Sequence, residues 1–463
     1  MPVASGTSNL FFSRDTKVYI KQGTNIWEVP VLNGYSFSQS TNASTITLNE
    51  MSDATGKSRR GQRVFTDSLS PAEWSFDSYV RPVLVSSKQR STDEVLWASL
   101  VNSNEYNPTL ATTGITITGT PTISTGILTI AFGSTTPVPF KTNDVVVLSG
   151  LSAGTGGAIT TGTIVTCTTT TATINIGTSF SGVVTPTTPT IKPESYVSTT
   201  TELDFSFSSS NTTTLGTFEL YFVLGGNQIT TGNYINDGDT TIYQLQECSV
   251  NEVTINFEID GIATLSWSGM GKTITEIDTF DASAAILTGF KNGGNLITNN
   301  LIRNRLTALS AVSTSPTATT YALAITGGSI TISNNMTFLT PETLGVVNQP
   351  LGHVTGTRSI SGSFTTYLDE ATNGSIDLYK NLVTATSTIT NSFALQFFVG
   401  GRNTAGTHPV GPGLLLDMGQ CHLEIPTINN DDVIALEVNF TALPSNISGA
   451  DEINKIRYVG IAP

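Results

Sequence analysis

The side chains that could do chemistry in this chain are few and scattered. The histidines are His353, His408 and His422, and no two stand at metal-ligand spacing. Each is expected as an ordinary surface histidine in a turn or at a strand edge. Gly269-Met-Gly-Lys-Thr273 is similar to the end of a phosphate-binding loop. That motif needs a glycine where Ser266 stands and a helix after Thr273, where no helical period follows. A strand exit is the expectation there. Carboxylates are plentiful, yet no pair is singled out as an acid–base dyad. Cys167, Cys248 and Cys421 are expected as reduced, buried thiols. No catalytic, cofactor-binding or metal-ligating residue is nominated, and no enzyme is expected. The one dense basic cluster is Lys57, Arg59, Arg60 and Arg63, set around Gly56 and Gly61. It reads either as a solvated loop or as an arm that finds acidic surface on a neighbour.

The elements that must carry these residues come in two similar sets. Phe218-Glu-Leu-Tyr-Phe-Val-Leu-Gly-Gly226 reappears as Phe393-Ala-Leu-Gln-Phe-Phe-Val-Gly-Gly401. The stretch from Cys248 aligns without a gap on that from Cys421, so that Thr254-Ile-Asn256 matches Thr427-Ile-Asn429, and Leu265 and Trp267 match Val438 and Phe440. Upstream, Ser75-Phe-Asp-Ser-Tyr79 matches Ser363-Phe-Thr-Thr-Tyr367, and Leu96-Trp-Ala-Ser-Leu-Val101 matches Leu378-Tyr-Lys-Asn-Leu-Val383. Units this long are complete domains, since solenoid turns run only about 20 to 50 residues. The second copy passes from Val383 to Phe393 in a short connection, whereas the first runs from Val101 to Phe218. The first copy therefore holds an insertion of roughly a hundred residues, the size of a small domain.

Charged residues make up 12% of the chain, and Thr, Ser and Gly dominate, which reads as all-β with short strands and many turns. Alternation is clear in Phe218, Leu220 and Phe222, in Ile255, Phe257 and Ile259, and in Leu436, Val438 and Phe440. One face of each strand is thus apolar and the other polar, as an antiparallel sandwich or barrel requires. Val18-Tyr-Ile20 opens copy one, and Tyr321 to Ile325, a Gly327-Gly328 turn and Ile330 to Ile332 are expected to mirror that opening in copy two. Leu96/Leu100 and Leu378/Leu382 give each copy one short helix, with Thr92 and Ser375 placed as N-caps. The segments Asn49–Arg63 and Pro341–Gly356 are expected as corresponding loops or hairpin arms.

The inserted stretch has four charged residues between Tyr106 and Thr201: Lys141, Asp144, Lys192 and Glu194. Its low complexity allows disorder, but Asp144–Leu148, Thr163–Thr166 and Ala172–Ile176 alternate like strands. A small SH3-like barrel or an immunoglobulin-like sandwich is expected. The domain boundaries read 1–106 and 202–272 for the first copy, 107–201 for the insert, 273–300 for a linker and 301–463 for the second copy.

Lys and Arg number 21 against 35 Asp and Glu, a net charge of -14, which argues against ordinary DNA binding. It leaves room for a surface past which DNA slides without sticking. No apolar run reaches the roughly 18 residues of a membrane span, and the N-terminus does not read as a signal peptide, so no membrane association is expected.

Taken together the chain resembles the tail tube proteins of long-tailed bacteriophages (siphophages), of the T-five-like type with a duplicated tube domain. The residues that carry this are Gly61-Gln-Arg-Val-Phe65, Ser68-Leu-Ser-Pro-Ala-Glu-Trp-Ser-Phe76, Leu265-Ser-Trp-Ser-Gly269, Asn304-Arg-Leu-Thr307, Ile325-Thr-Gly-Gly328, Thr337-Phe-Leu-Thr-Pro341 and Ile425-Pro-Thr-Ile428 with Asp431-Asp432-Val433. The extra module departs from that pattern by interrupting copy one.

The resemblance implies a structural virion protein with two tandem tube domains of the β-sandwich or barrel kind. Three chains would close a pseudo-hexameric ring, and rings would stack into the conduit for viral DNA ejection. The partners it implies are further copies of the chain, the tape measure protein, the tail terminator and distal tail proteins, and DNA in transit. Assembly in the host cytoplasm and residence in the virion tail follow. Glu258, Asp260 and Glu437 either line such a lumen or face outward as solvated carboxylates. Two alternatives share parts of the pattern: the inner tube of a contractile or type VI-like system, and a β-rich surface or adhesion protein.

Overall fold

The computed structural model describes residues 10–46, 63–85, 88–102, 115–134, 145–193, 203–205, 207, 214–225, 232–237, 239–258, 261–283, 306–313, 320–321, 323–341, 343, 347–384, 393–402, 410–430, 433–446 and 449–459. The class is all-β, with two α-helices among the described residues: α1 (Glu94–Val101) and α2 (Ser375–Thr384).

Both copies use one long strand to join two sheets. In copy one, Thr241–Glu258 pairs through its first half with Phe218–Leu224 and through its second half with Thr264–Gly271. Glu247, in the left-handed region at φ 49°, stands between the two halves. In copy two, Val410–Leu423 pairs with Phe393–Arg402 and, at its end, with Ile434–Ala442. The duplication extends to an irregularity: Phe218 faces Cys248 and Phe393 faces Cys421, each followed by a β-bulge before Leu220 or Leu395. Each cysteine is fully buried there, and burial pushes both thiols well above the usual range, whereas Cys167, also expected to be buried, is only half-buried.

Register corrects the gapless sequence match. Phe76 faces Trp267, and its counterpart Phe364 faces Val438. Trp267 therefore corresponds to Val438, and Leu265 to Leu436. The connection between paired residues is 257–263 in copy one (Asn256 opposite Thr264) and 430–434 in copy two (Asn429 opposite Ala435), two residues shorter. A two-residue slip keeps every side chain on its face, so hydrophobic alternation cannot register it.

The opening of copy two also differs from expectation. Lys17–Gln22 pairs with Phe218–Leu224, and its counterpart is Leu306–Ser313, which pairs with Phe393–Arg402. Gly327 and Gly328 form no turn but lie within the strand Ile325–Ser333. A Cβ on Gly328 would stand 2.3 Å from the Ser363 carbonyl oxygen and 2.9 Å from the Phe257 ring. Glycine is needed for this close approach.

Helix α1 is buried on every side, whereas α2 buries only Ser375, Leu378 and Leu382. The difference lies in what covers them. Leu203–Phe205 pairs with Lys455–Val459 of copy two, and Phe205 stacks on Trp97 with ring centroids 6.3 Å apart. The expected caps are also different. Asp93, rather than Thr92, is the N-cap of α1 and makes no side-chain cap bond; Ser375 is the first helical residue and its hydroxyl donates to the Tyr367 carbonyl.

Within 107–201, the described strands form a six-stranded barrel. Val145–Thr155 pairs with both Thr161–Cys167 and Ser181–Pro193, which closes the sheet and leaves no open edge around its circumference. Leu128, Ile130, Val146, Ile164, Ile174 and Ile191 fill it. Ile274–Glu276, at the start of the expected linker, pairs with Tyr243–Leu245 of copy one.

Candidate channel face and open sheet edges

One antiparallel sheet runs through both copies. Its strands are, in spatial order, Ser36–Ser38, Ala72–Tyr79, Thr264–Gly271, the second half of Thr241–Glu258, Ile325–Ser333, Ser359–Tyr367, Ile434–Ala442 and Thr427–Asn430. The copies meet at its middle, where Glu252–Glu258 pairs with Gly327–Ser333.

Its two faces differ because residues directly opposite in a ladder point the same way. Trp74, Phe76, Leu265, Trp267, Val253, Ile255, Ile330, Ile332, Phe364, Val438 and Phe440 are buried in the shared core. The other face is built of hydroxyls, amides and carboxylates. Thr254 meets Thr331 hydroxyl to hydroxyl at 3.0 Å, and Ser36 meets Ser75 at 2.8 Å. Glu258 lies opposite Gly327, and Glu437 lies between Thr365 and Thr427. Glu73, Asp77 and Glu252 occupy the same face. None of these eight strands contains a Lys or Arg.

Glu258 and Glu437 are thus brought onto one face, as the strand alternation suggested, while Asp260 lies outside the described residues. Glu73, Asp77 and Glu252 were not singled out from the sequence. The alternation of Trp74 and Phe76 with Glu73, Ser75 and Asp77 is the signal that points to them.

Lys57, Arg59 and Arg60 also lie outside the described residues. Arg63 begins the strand Arg63–Leu69, which forms an arm with Thr41–Ile46. A second arm pairs Thr337–Leu339 with Gly352–Val354. The two regions touch: the Leu69 N–H donates to the Asn348 carbonyl at 2.8 Å, and the Asn348 N–H to the Asp67 carbonyl at 3.0 Å.

His353 corrects the surface-histidine expectation. It is 8% exposed, and its Nε2 accepts the Leu215 backbone N–H at 2.8 Å, linking the second arm to copy one. Burial holds its pKa below the ordinary histidine value. His422 is exposed, and His408 lies outside the described residues. Gly269 and Gly271 sit within a strand. A Cβ on Gly269 would be 2.4 Å from the Trp74 ring, and one on Gly271 would be 2.8 Å from Cys248 Sγ. Both glycines serve packing. Among the described residues, no group of three or more His, Cys, Asp or Glu could hold a metal ion.

The sheet ends in two unpaired edges among the described residues, Ser36–Ser38 and Thr427–Asn430, each paired on one side only. Such edges invite another strand.

The chain is similar to tail tube protein pb6 of Escherichia phage T5, 26% identical over 450 residues, which cover 95% of this chain and 74% of that protein. That similarity supports the resemblance to T5-like tail tube proteins. No family model matches the chain.

Proposed function

We propose that this chain is a structural protein of a phage tail tube, with three copies closing a ring around a channel. The observation that carries this reading is the single sheet through both copies. It has an acidic polar face free of lysine and arginine, and it stops at two open edges. Closing the sheet on itself removes those edges, and a closed oligomer is the usual way to do so. Two tube domains per chain make three chains equivalent to a sixfold wall.

In this reading the polar face turns inward, and Glu73, Asp77, Glu252, Glu258 and Glu437 line the channel. A carboxylate lining without cations repels the phosphate backbone, so DNA passes during ejection without counterion-release binding. The core side of the sheet faces the second sheet of each copy and the helices, which form the wall. Rings stack around a tape measure protein, with terminator and distal tail proteins at the ends. The barrel of 107–201, attached through connections outside the described residues, decorates the outside. Lys57, Arg59, Arg60 and Arg63 act in an arm between neighbours.

Negative-stain microscopy of the purified full chain, concentrated to promote assembly, tests the proposal. Rings or tubes with threefold projection symmetry are expected. A folded protein that stays monomeric at all concentrations, or builds rings of another order, would overturn it.

A further inference from the structure

The junction between the two copies can be compared, residue by residue, with the two open edges of the sheet. At that junction Thr254, Ile255 and Asn256 face Thr331, Ile330 and Ser329. Both partners have counterparts at the open edges. Thr254-Ile-Asn256 repeats as Thr427-Ile-Asn429, and Thr254 faces Ser266 as Thr427 faces Glu437, its counterpart by register. On the other side Ser329 faces Ser363 as Ser36 faces Ser75, where Ser363 and Ser75 are themselves equivalent. Ser36, Phe37 and Ser38 therefore stand where Ser329, Ile330 and Thr331 stand.

Exposure agrees with a missing neighbour. Ile255 and Ile330, across from each other at the internal junction, are both 0% exposed. Ile428, in the place of Ile255, is 44% exposed, and the adjacent Ile425 is 51% exposed. Phe37, in the place of Ile330, is only partly buried and stacks on Phe222 at 4.4 Å. An apolar pair interrupted at both open edges matches the apolar pair completed inside the chain.

Resting on the reading of the chain as a ring subunit, we infer that Thr427–Asn430 of one chain pairs antiparallel with Ser36–Ser38 of a second copy. The register sets Thr427 opposite Ser38, Ile428 opposite Phe37 and Asn429 opposite Ser36. Ile428 and Phe37 then close over the core side, and the other two pairs continue the polar face across the seam. Pro426 replaces Val253 at this edge and has no N–H to donate, so the intermolecular ladder starts at Thr427 and is shorter than the internal one.

Paired cysteines test the register in the full chain, with Cys167→Ser removing the half-buried thiol. Ser36→Cys with Asn429→Cys, and separately Ser38→Cys with Thr427→Cys, place thiols within reach across the seam. Both substituted pairs are exposed in the single chain, so folding is expected to survive. After mild oxidation of assembled rings, each pair should give a covalent species of three chains under denaturing conditions. The staggered pair Ser38→Cys with Asn429→Cys should give at least tenfold less. Tubes that assemble normally but cross-link best through the staggered pair, or through neither, would overturn the register while leaving the ring intact. Failure of the unmodified chain to form rings would overturn both.

Discussion

The Trp97 indole N–H donates to the Tyr458 hydroxyl at 2.9 Å, and that hydroxyl donates to Asp93 Oδ2 at 2.7 Å. All three groups are buried, and the chain of bonds ties helix α1 of copy one to the last strand of copy two. Tyr458→Phe removes the shared hydroxyl and leaves a buried indole and carboxylate each short of a partner. A loss of about 1–3 kcal/mol is expected in urea unfolding. An unchanged midpoint would mean that the two copies are held together elsewhere.

Asp93 also carries a pH dependence. Burial is the main cause that pushes its carboxyl up to about 6 from 3.8, against the hydrogen bonds donated by Ser91, Tyr458 and Trp97. The folded state holds this proton more tightly than the unfolded state. Its stabilising contribution is complete below pH 3.8 and is lost as pH rises through about 6. Asp93→Asn should abolish that component. The unfolding free energy of the unmodified chain relative to the variant should fall across this window by about 3 kcal/mol, and a pH-independent difference would contradict it.

His353 has the opposite sign. Its depressed pKa means that the bond from the Leu215 N–H contributes fully above the ordinary histidine range and is lost as pH falls through the folded value. Protonation occupies Nε2 and removes the acceptor. Hydrogen exchange at the Leu215 amide should show protection at neutral pH that disappears on acidification, after correction for intrinsic exchange rates. Equal protection at both pH values would show that the second arm is not held by this bond.

Charge at the open edge should separate assembly from folding. Ile428→Lys places a cation on an exposed edge strand, a natural way to stop strand addition. Stability of the single chain should change by no more than about 0.5 kcal/mol, as for most surface positions, while ring formation is lost in sedimentation. Rings formed at normal concentration would argue that this edge stays open in the assembly.

The channel chemistry predicts a salt-dependent defect. Glu258→Lys with Glu437→Lys puts cations where the polar face has none. Tubes of this variant should retain single-stranded oligonucleotides at low salt and release them as salt rises, whereas unmodified tubes should retain none. Identical retention by both would place these side chains away from the channel.

Much of this architecture was legible in residue order. The repeated Phe-x-Leu and Thr-Ile-Asn segments marked the duplication, and alternation at Ile255 and Phe257 or Val438 and Phe440 marked the buried face. What escaped were features set by other parts of the chain. The shorter hairpin before Ile434 hides because a slip of two residues preserves alternation. Gly327 and Gly328 resemble a turn until the Phe257 ring occupies the space above Gly328. His353 resembles a surface residue until Leu215, distant in sequence, donates to it. The enclosure of α1 depends on Tyr458, which no local pattern connects to Trp97.

A side-chain-resolution cryo-microscopy map of the assembled tube tests the central claim most directly. Glu73, Asp77, Glu252, Glu258 and Glu437 should point into one continuous channel, with threefold symmetry and Thr427–Asn430 paired to a neighbouring chain. A tube whose channel is lined by another face, with these carboxylates on the outer surface, would contradict it.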